Sequence, residues 1–394
     1  MAAESNCNVC VVLPASGSGH RMCISTPKQY CKILDKPLLL FSIEAFHKLK
    51  WVKRIVVTVD KSHHEFVTGL MREHSLDKVS VVTGGVTRHR SIYAGIKALA
   101  NFCLPSDVVL LHDAVRPLAE ADVIKDVTVA AKKHGAAGVV RPLVSTVISV
   151  DEDGYLKESL DRSRYRASEM PQGFQYQVIK SAYEKCTDYD LDYGTECLHL
   201  AQMYTGTKSR ILAGPDTLWK VTQRKDLYAA EGVLKERITH TAVVGCSDKS
   251  LISELSNHFS ENFMQISFAK TLANVSVCAT DVVHFQNVSD ESCCKGLMLP
   301  VPEIMSHLRS INTSSLMLTP VLVHVNMYGE EFDVYEQQTN LQKQLATVIN
   351  ECTENMYLSA VIAKVSGDQH RLCELLKVMI RERSWALSGQ VMVT

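Results

Sequence analysis

The chain of 394 residues contains no apolar run approaching the ~18–20 residues that cross a bilayer, so no membrane-spanning helix is expected. It has no excess of one charge: 42 Lys and Arg stand against 43 Asp and Glu. No basic stripe interleaved with aromatics is present, which excludes a nucleic-acid coat. Internal repeats and low-complexity stretches are also absent. With 46% apolar and 22% charged residues, a disordered or collagen-like chain is excluded as well. The opening MAAESNCNVCVVLPASG lacks a basic segment followed by an apolar one, so a cytosolic protein is expected. Cysteine is plentiful, at 13, but has no pairing pattern. Cys7-x-x-Cys10 has no second pair at zinc spacing, and the adjacent Cys293 and Cys294 are poorly placed to serve one structural zinc. Free thiols in a reducing compartment follow.

What is present is a long alternation of strand and helix patterns. The length suits two or three domains at roughly 150 residues each. Residues 1–238 hold 32 basic and 27 acidic residues, and residues 239–394 hold 10 and 16. The first part therefore leans toward an anionic ligand. Strands are read at Val9–Leu13, Ile55–Val59, Val79–Thr83 and Val108–Leu111. Helical periods lie between them, at Leu38–Leu49, Ser62–His74 and Ser91–Ala100. This β-α-β-α order predicts a mainly parallel, Rossmann-like sheet with ligands at the strands' carboxyl ends. Residues 142–172 break the pattern. Val144–Val150, a turn at 151–154 and a polar return predict a projecting β-hairpin arm. After a helix at Asp226–Lys235 the alternation restarts. Strands at Thr241–Val244, Val275–Ala279, Leu316–His324 and Leu358–Ala363, with helices at Leu341–Ile349 and Leu372–Ile380, predict a second α/β domain over 239–394.

The most informative loop is PASGSGHRM (14–22), with PKQY (27–30) close behind. Gly17 and Gly19 let backbone N–H groups approach phosphate oxygens, and Arg21 and Lys28 add positive charge at the same mouth. Neither the GxxxxGK[ST] spacing nor GxGxxG is present, so this is neither a P-loop nor a dinucleotide fingerprint. Asp113 ends a strand, where a carboxylate can cap a turn, meet a ribose hydroxyl or hold magnesium. His112 has no partner at ligand spacing and reads as local packing, while His89 reads as structural or solvated. Arg162, Arg164 and Arg166 are a solvated basic strand face or phosphate-binding groups. In the second domain VVGCSDKS (243–250) is a weak nucleotide signal; without the dinucleotide fingerprint or a Tyr-x-x-x-Lys pair, it reads as non-catalytic, with a dinucleotide-binding, dehydrogenase-like module as the alternative.

PASGSGHRM and PKQY resemble the signature of the cytidylyltransferases that transfer CMP to a sugar or polyol phosphate, typified by the methylerythritol-phosphate enzymes. TGGVTRHRS (83–91), LLHDAVRP (110–117), the LDR…MPQ arm (160–172) and LWKVT (218–222) match in order. RPLVSTV, RASEMPQ, DYDLDYGTECL and DLYAAE, followed by the second domain, are similar to a two-domain branch of that family. That branch uses D-ribitol 5-phosphate and supplies CDP-ribitol for O-mannosyl glycans of dystroglycan. Ribulose 5-phosphate or methylerythritol phosphate remain alternative acceptors. The resemblance implies CTP as donor, a magnesium ion and a homodimer formed through the arm. It places Arg21, Lys28 and Lys220 on the phosphates, and Ala15, Ser16, Gly17 and Gly19 around the nucleotide. Gly85, Arg88 and Ser91 lie at the base, and Asp113 at ribose or metal. Arg116, Thr146, Thr195 and Arg162, the last crossing from a partner's arm, surround the acceptor, and Glu196 orients a nearby cation. Met170 stands where the methylerythritol enzymes carry Thr, which removes a hydrogen-bonding hydroxyl from the acceptor side.

Overall fold

A computed structural model describes residues 8–17, 26–34, 36–194, 196–238, 240–261, 264–275, 279–288, 321–328, 334–351, 356–365, 367–383 and 386–394. The chain divides into two compact units, Met1–Ala230 and Glu231–Thr394.

The strands of the first unit are β1 (Val9–Pro14), the short pair β2 (Lys32–Ile33) and β3 (Lys36–Pro37), β4 (Val52–Val59), β5 (Val79–Thr83), β6 (Val108–Leu111), β7 (Ala136–Pro142), β8 (Ile148–Val150), β9 (Leu156–Ser159), β10 (Arg166–Gln175) and β11 (Arg210–Ala213). Its helices are α1 (Leu38–His47), α2 (His64–Glu73), α3 (Arg88–Ala98), α4 (Ala121–His134), α5 (Tyr176–Lys185), α6 (Asp188–Tyr193) and α7 (Cys197–Thr205); α8 (Arg224–Ile238) runs across the division. The seven-stranded sheet has the order β11-β7-β10-β6-β1-β4-β5. Every pair is parallel except those made by β10.

Strand β1 is buried on both faces, which is why it reads as a continuous apolar run. Val9, Val11 and Leu13 join the core under α1, α2 and α4, while Cys10 and Val12 join the core under α3, α5 and α7. Each fully buried Leu or Ile there contributes about 1.5–3 kcal/mol. Helix α3 lies so close to β1 that a Cβ on Gly95 would come within 2.4 Å of Val12 Cγ1. The same helix starts at Arg88, three residues before the expected Ser91, because the Thr87 side chain caps it by accepting from the Arg90 amide.

The arm is shorter than the sequence suggests. Only Ile148–Val150 pairs with Leu156–Ser159, around a turn where Asp151 Oδ1 accepts from the amides of Asp153 (3.1 Å) and Tyr155 (2.8 Å). After a turn at 160–165 the polar return continues as β10, which inserts antiparallel between β6 and β7 and buries Glu169–Phe174. The physical reason is Met170 and Phe174: burying these two side chains draws β10 into the main sheet.

The second unit contains β12 (His240–Val244), β13 (Gln265–Ala269), β14 (Asp281–Val288), β15 (Val321–Tyr328), β16 (Tyr357–Lys364) and β17 (Val391–Val393), with α9 (Lys249–Glu261), α10 (Val334–Glu351) and α11 (Gln369–Glu382). Its sheet order is β13-β12-β14-β15-β16-β17 and every pair is parallel, with apolar cores on both faces. The strand expected at 275–279 falls partly outside the described residues, and the strand found there begins at Asp281. Of the one expected at 316–324, residues 316–320 lie outside the described residues, as do Cys7, Cys293 and Cys294. Among the described residues no cysteine forms a disulfide, and no helix is long and apolar enough to cross a membrane.

Candidate active site

A cavity of about 340 Å³ opens in the first unit where the loops after β1, β5 and β6 meet the segment after β11. Ala15, Ser16 and Gly17 leave β1 and form one wall. The loop is pinned from two sides. Ala15 N–H and Ser16 Oγ donate to the Thr58 carbonyl at 2.7 and 3.2 Å. The buried Gln29 amide donates to the carbonyls of Ala15 (2.7 Å) and Gly17 (2.8 Å). A trans peptide sets a carbonyl and the next N–H on opposite sides, so the Ser16 N–H points away from Gln29. Gly84 and Gly85 close the end of β5. A Cβ on Gly84 would sit 2.0 Å from Ser16 Oγ, and one on Gly85 would sit 2.4 Å from Arg90 Cβ. Ser91 Oγ accepts from the Gly85 amide (3.1 Å) and donates to Ser16 Oγ or to the Thr87 carbonyl (2.8 Å), so it joins the two loops.

Asp113 follows β6 and is the centre of charge. Arg88 Nε lies 3.2 Å from its Oδ1, while Arg116 Nε (2.9 Å) and Lys220 Nζ (3.3 Å) reach Oδ2. Burial alone would raise the carboxyl's pKa, but Arg88 first, then Lys220 and Arg116, hold it well below the usual carboxylate range. Burial lowers the pKa of Lys220 and Asp113 opposes that shift. Lys28 donates to the Val221 carbonyl at 3.2 Å, so both lysines meet on one side of the cavity.

Nine of the expected residues therefore come together here: Ala15, Ser16, Gly17, Lys28, Gly85, Arg88, Ser91, Asp113 and Lys220 all line the cavity. Gly19, Arg21 and Thr195 lie outside the described residues. Arg116 is buried, and its guanidinium is engaged by Asp113, Glu169 and the Leu218 carbonyl. Thr146 and Arg162 are exposed on the arm, with Arg162 donating to the Val144 carbonyl at 3.0 Å, and neither lines the cavity of its own chain. Arg166 Nη1 binds backbone carbonyls of its own turn. Glu196, read as a cation orienter, instead caps α7 by accepting from His199 N–H and bonds the Gln172 amide. His112 is buried against the Arg116 carbonyl (3.3 Å), and His89 is buried with Nδ1 2.7 Å from Tyr183 Oη, so neither is solvated.

The expected metal role of Asp113 does not fit. Its two oxygens already receive Arg88 through Nε and Nη2, Arg116 and Lys220, which use the lone-pair sites a metal would need. Among the described residues no group of three His, Cys, Asp or Glu could hold a metal.

Residues not singled out from sequence are Gln29, which holds the first loop, and the Glu169–Arg141 pair beside Arg116. Gln29 stood in the quoted PKQY string, and its role needed the loop's carbonyl positions to be seen. Glu169 stood in RASEMPQ, and Arg141 at the head of RPLVSTV.

Residues 9–236 match the family described as IspD: 2-C-methyl-D-erythritol 4-phosphate cytidylyltransferase. The chain is 37% identical over 412 residues to a D-ribitol-5-phosphate cytidylyltransferase of Xenopus tropicalis, covering 100% of this chain and 99% of that one. A Homo sapiens protein of the same name is 37% identical over 405 residues, covering 98% of this chain and 90% of that one. A 2-C-methyl-D-erythritol 4-phosphate cytidylyltransferase of Syntrophus aciditrophicus (strain SB) is 33% identical over 230 residues, covering 58% of this chain and 96% of that one. The crystal structure of 4-diphosphocytidyl-2C-methyl-D-erythritol synthase from Anaerococcus prevotii aligns with a TM-score of 0.50 at 22% identity, over 58% of this chain and 96% of that one, which shows a shared fold. The chain belongs to the 2-C-methyl-D-erythritol 4-phosphate cytidylyltransferase family.

Proposed function

We propose that the protein transfers CMP from CTP to D-ribitol 5-phosphate, giving CDP-ribitol and pyrophosphate. A phosphate oxygen of the acceptor attacks the α-phosphorus of CTP; that O–P bond forms as the bond to the β-phosphate oxygen breaks. Two anions must be brought together, so the work is positioning and charge stabilisation. The observation that carries the reading is the convergence of Lys28, Arg88 and Lys220 with the Ala15–Gly17 loop on one cavity.

In this reading Lys28 and Lys220, with Arg21, neutralise the triphosphate. Gly85, Ser91 and Arg88 bound the base and sugar side, and Ala15, Ser16, Gly17 and Gly19 supply the phosphate loop. Asp113 acts as the counter-charge that orders Arg88, Arg116 and Lys220. The acceptor meets Arg116, Thr195 and, from a second subunit's arm, Thr146 and Arg162. The arm suits that use: Val144, Tyr155 and Leu156 are 86%, 73% and 66% exposed, an apolar surface a second copy would cover. A divalent cation, used generally in this family, would be held on triphosphate oxygens and would withdraw charge from them. The second unit serves as a non-catalytic scaffold, and the cytosol is the expected compartment. CDP-ribitol then supplies ribitol phosphate to O-mannosyl glycans of dystroglycan.

Full-length relatives named for D-ribitol 5-phosphate support that acceptor, since the methylerythritol-phosphate relative aligns with only 58% of the chain. Pyrophosphate release is the test. CTP with ribitol 5-phosphate should turn over and CTP with methylerythritol phosphate should not, whereas the reverse result overturns the substrate assignment.

A further inference from the structure

A second carboxylate lies behind the cavity, in none of the roles above. The register of β10 against β7 shifts between Ser168 and Gln172, and within that irregularity Glu169 turns inward, its side chain only 7% exposed. One oxygen takes Arg116 Nη1; the other takes Arg141 Nε at 2.9 Å. Arg141 also donates to the Asp216 carbonyl at 3.1 Å, and Arg116 to the Leu218 carbonyl, so both guanidinium groups hold the turn before Lys220. Through Arg116 Nε the chain of charges continues to Asp113 and on to Arg88 and Lys220.

This places the clamp where two stems meet. Arg141, next to last in β7, pairs in register with Ala167, second in β10, so these are the two strands from which the arm projects. Among the described residues, the ion pairs of Arg88, Lys220, Arg116 and Arg141 are made with two carboxylates, Asp113 and Glu169. Arg116 is nearly buried and the other three are partly withdrawn from water, and positive charge so placed without full compensation is costly unless an anion arrives. A phosphate monoester is such an anion, and the planar guanidinium fork suits it.

We propose that Glu169 is a positioning residue for the phosphorylated acceptor, clamping Arg116 to Arg141 so that the acceptor side of the cavity is fixed to the root of the arm. The inference rests on the functional reading above and adds the residues that set acceptor affinity. Full-length protein carrying Glu169→Gln is assayed with CTP and ribitol 5-phosphate, each varied in turn. The acceptor KM should rise at least about tenfold while the CTP KM stays within about twofold, a split that general loosening of the fold would not produce. Arg141→Met should move the same constant, and the double variant should be no worse than the worse single, because the pair acts as one unit. Arg141→Lys keeps the charge, loses the fork and should lie between. An unmoved acceptor KM, or acceptor and CTP constants that rise together, overturns the inference. If Glu169→Gln does not fold, the more exposed Arg141→Met and Arg141→Lys decide by the same split. Wild-type protein inert toward this substrate pair overturns the functional reading itself; an active wild type with an unmoved acceptor KM overturns only the clamp.

Discussion

Lys220 Nζ lies 3.3 Å from Asp113 Oδ2, although the two residues come from separate loops at the carboxyl edge of the sheet. The contact makes each group's charge depend on the other: burial works against both ions, and the pairing keeps them ionised. Asp113→Asn would leave three cations without that partner. Removing one member of a buried ion pair costs roughly 3–5 kcal/mol, so a clear fall in thermal stability is expected. The pH dependence is specific. A carboxyl held below its unfolded pKa contributes stability that is present above that unfolded value and lost as pH falls through the folded one. The gap between wild type and Asp113→Asn should therefore stay constant from pH 8 to 5 and close only in stronger acid; a gap that shrinks between pH 7 and 5 would show that Asp113 is not held low.

Lys220→Ala should lower kcat by orders of magnitude with a modest change in CTP affinity, since its charge is needed most when the two phosphates meet. Steady-state kinetics with each substrate varied checks this. A large rise in the CTP KM at unchanged kcat would make Lys220 a ground-state binding residue instead.

His112 and His89 are each pushed down to about 4, by burial first and by a neighbouring arginine second. Both are neutral when folded and become protonated in the unfolded chain below pH ~6.5. Their contribution is complete above that pH and is lost as pH falls from 6.5 toward 4, on the order of 3 kcal/mol for each. In the second unit His324, pushed down to about 3 by burial, acts in the same direction. Urea midpoints followed by tryptophan fluorescence should drop between pH 7 and 5, and a flat midpoint would contradict the buried neutral state.

Gly95→Leu would drive a side chain into Val12, whose Cγ1 would lie only 2.4 Å from a Cβ there. Overpacking of this kind costs about 1–3 kcal/mol, so the melting temperature should fall by several degrees. Gly232→Ala, where a Cβ would meet nothing within 4 Å, serves as a control that should melt at or above the wild type.

Arg162→Ala and Lys220→Ala should complement each other when mixed as subunits. If the arm serves the neighbouring site, each heterodimer has one whole site, because the Arg162→Ala subunit receives an intact arm. Activity no higher than the sum of the two parents would assign the arm to its own chain.

Much of this was legible in residue order alone. Strand β6 lies where its apolar run predicted, because a strand buried on both faces has little freedom to be anything but apolar; β5, a half-buried edge strand, lies where its β-branched residues predicted. The glycine loop, Lys28, Asp113 and Lys220 were identifiable because phosphate chemistry needs those residue types and the matching strings run in family order. The arm's length was not, since polarity along 156–168 hides the fact that Met170 and Phe174 must be buried, and only pairing with β6 and β7 decides where β10 begins. The partners of charge were equally hidden. No local pattern says that Glu169 will meet both Arg116 and Arg141, or that Asp113 will be filled by three cations and left unsuited to a metal. Periodicity and residue chemistry act over a few positions along the chain, so the sequence by itself determined the elements and the reactive groups. Which ions pair is a matter of distance in space, and that was set only when the sheet order brought the ends of β6, β7 and β10 together.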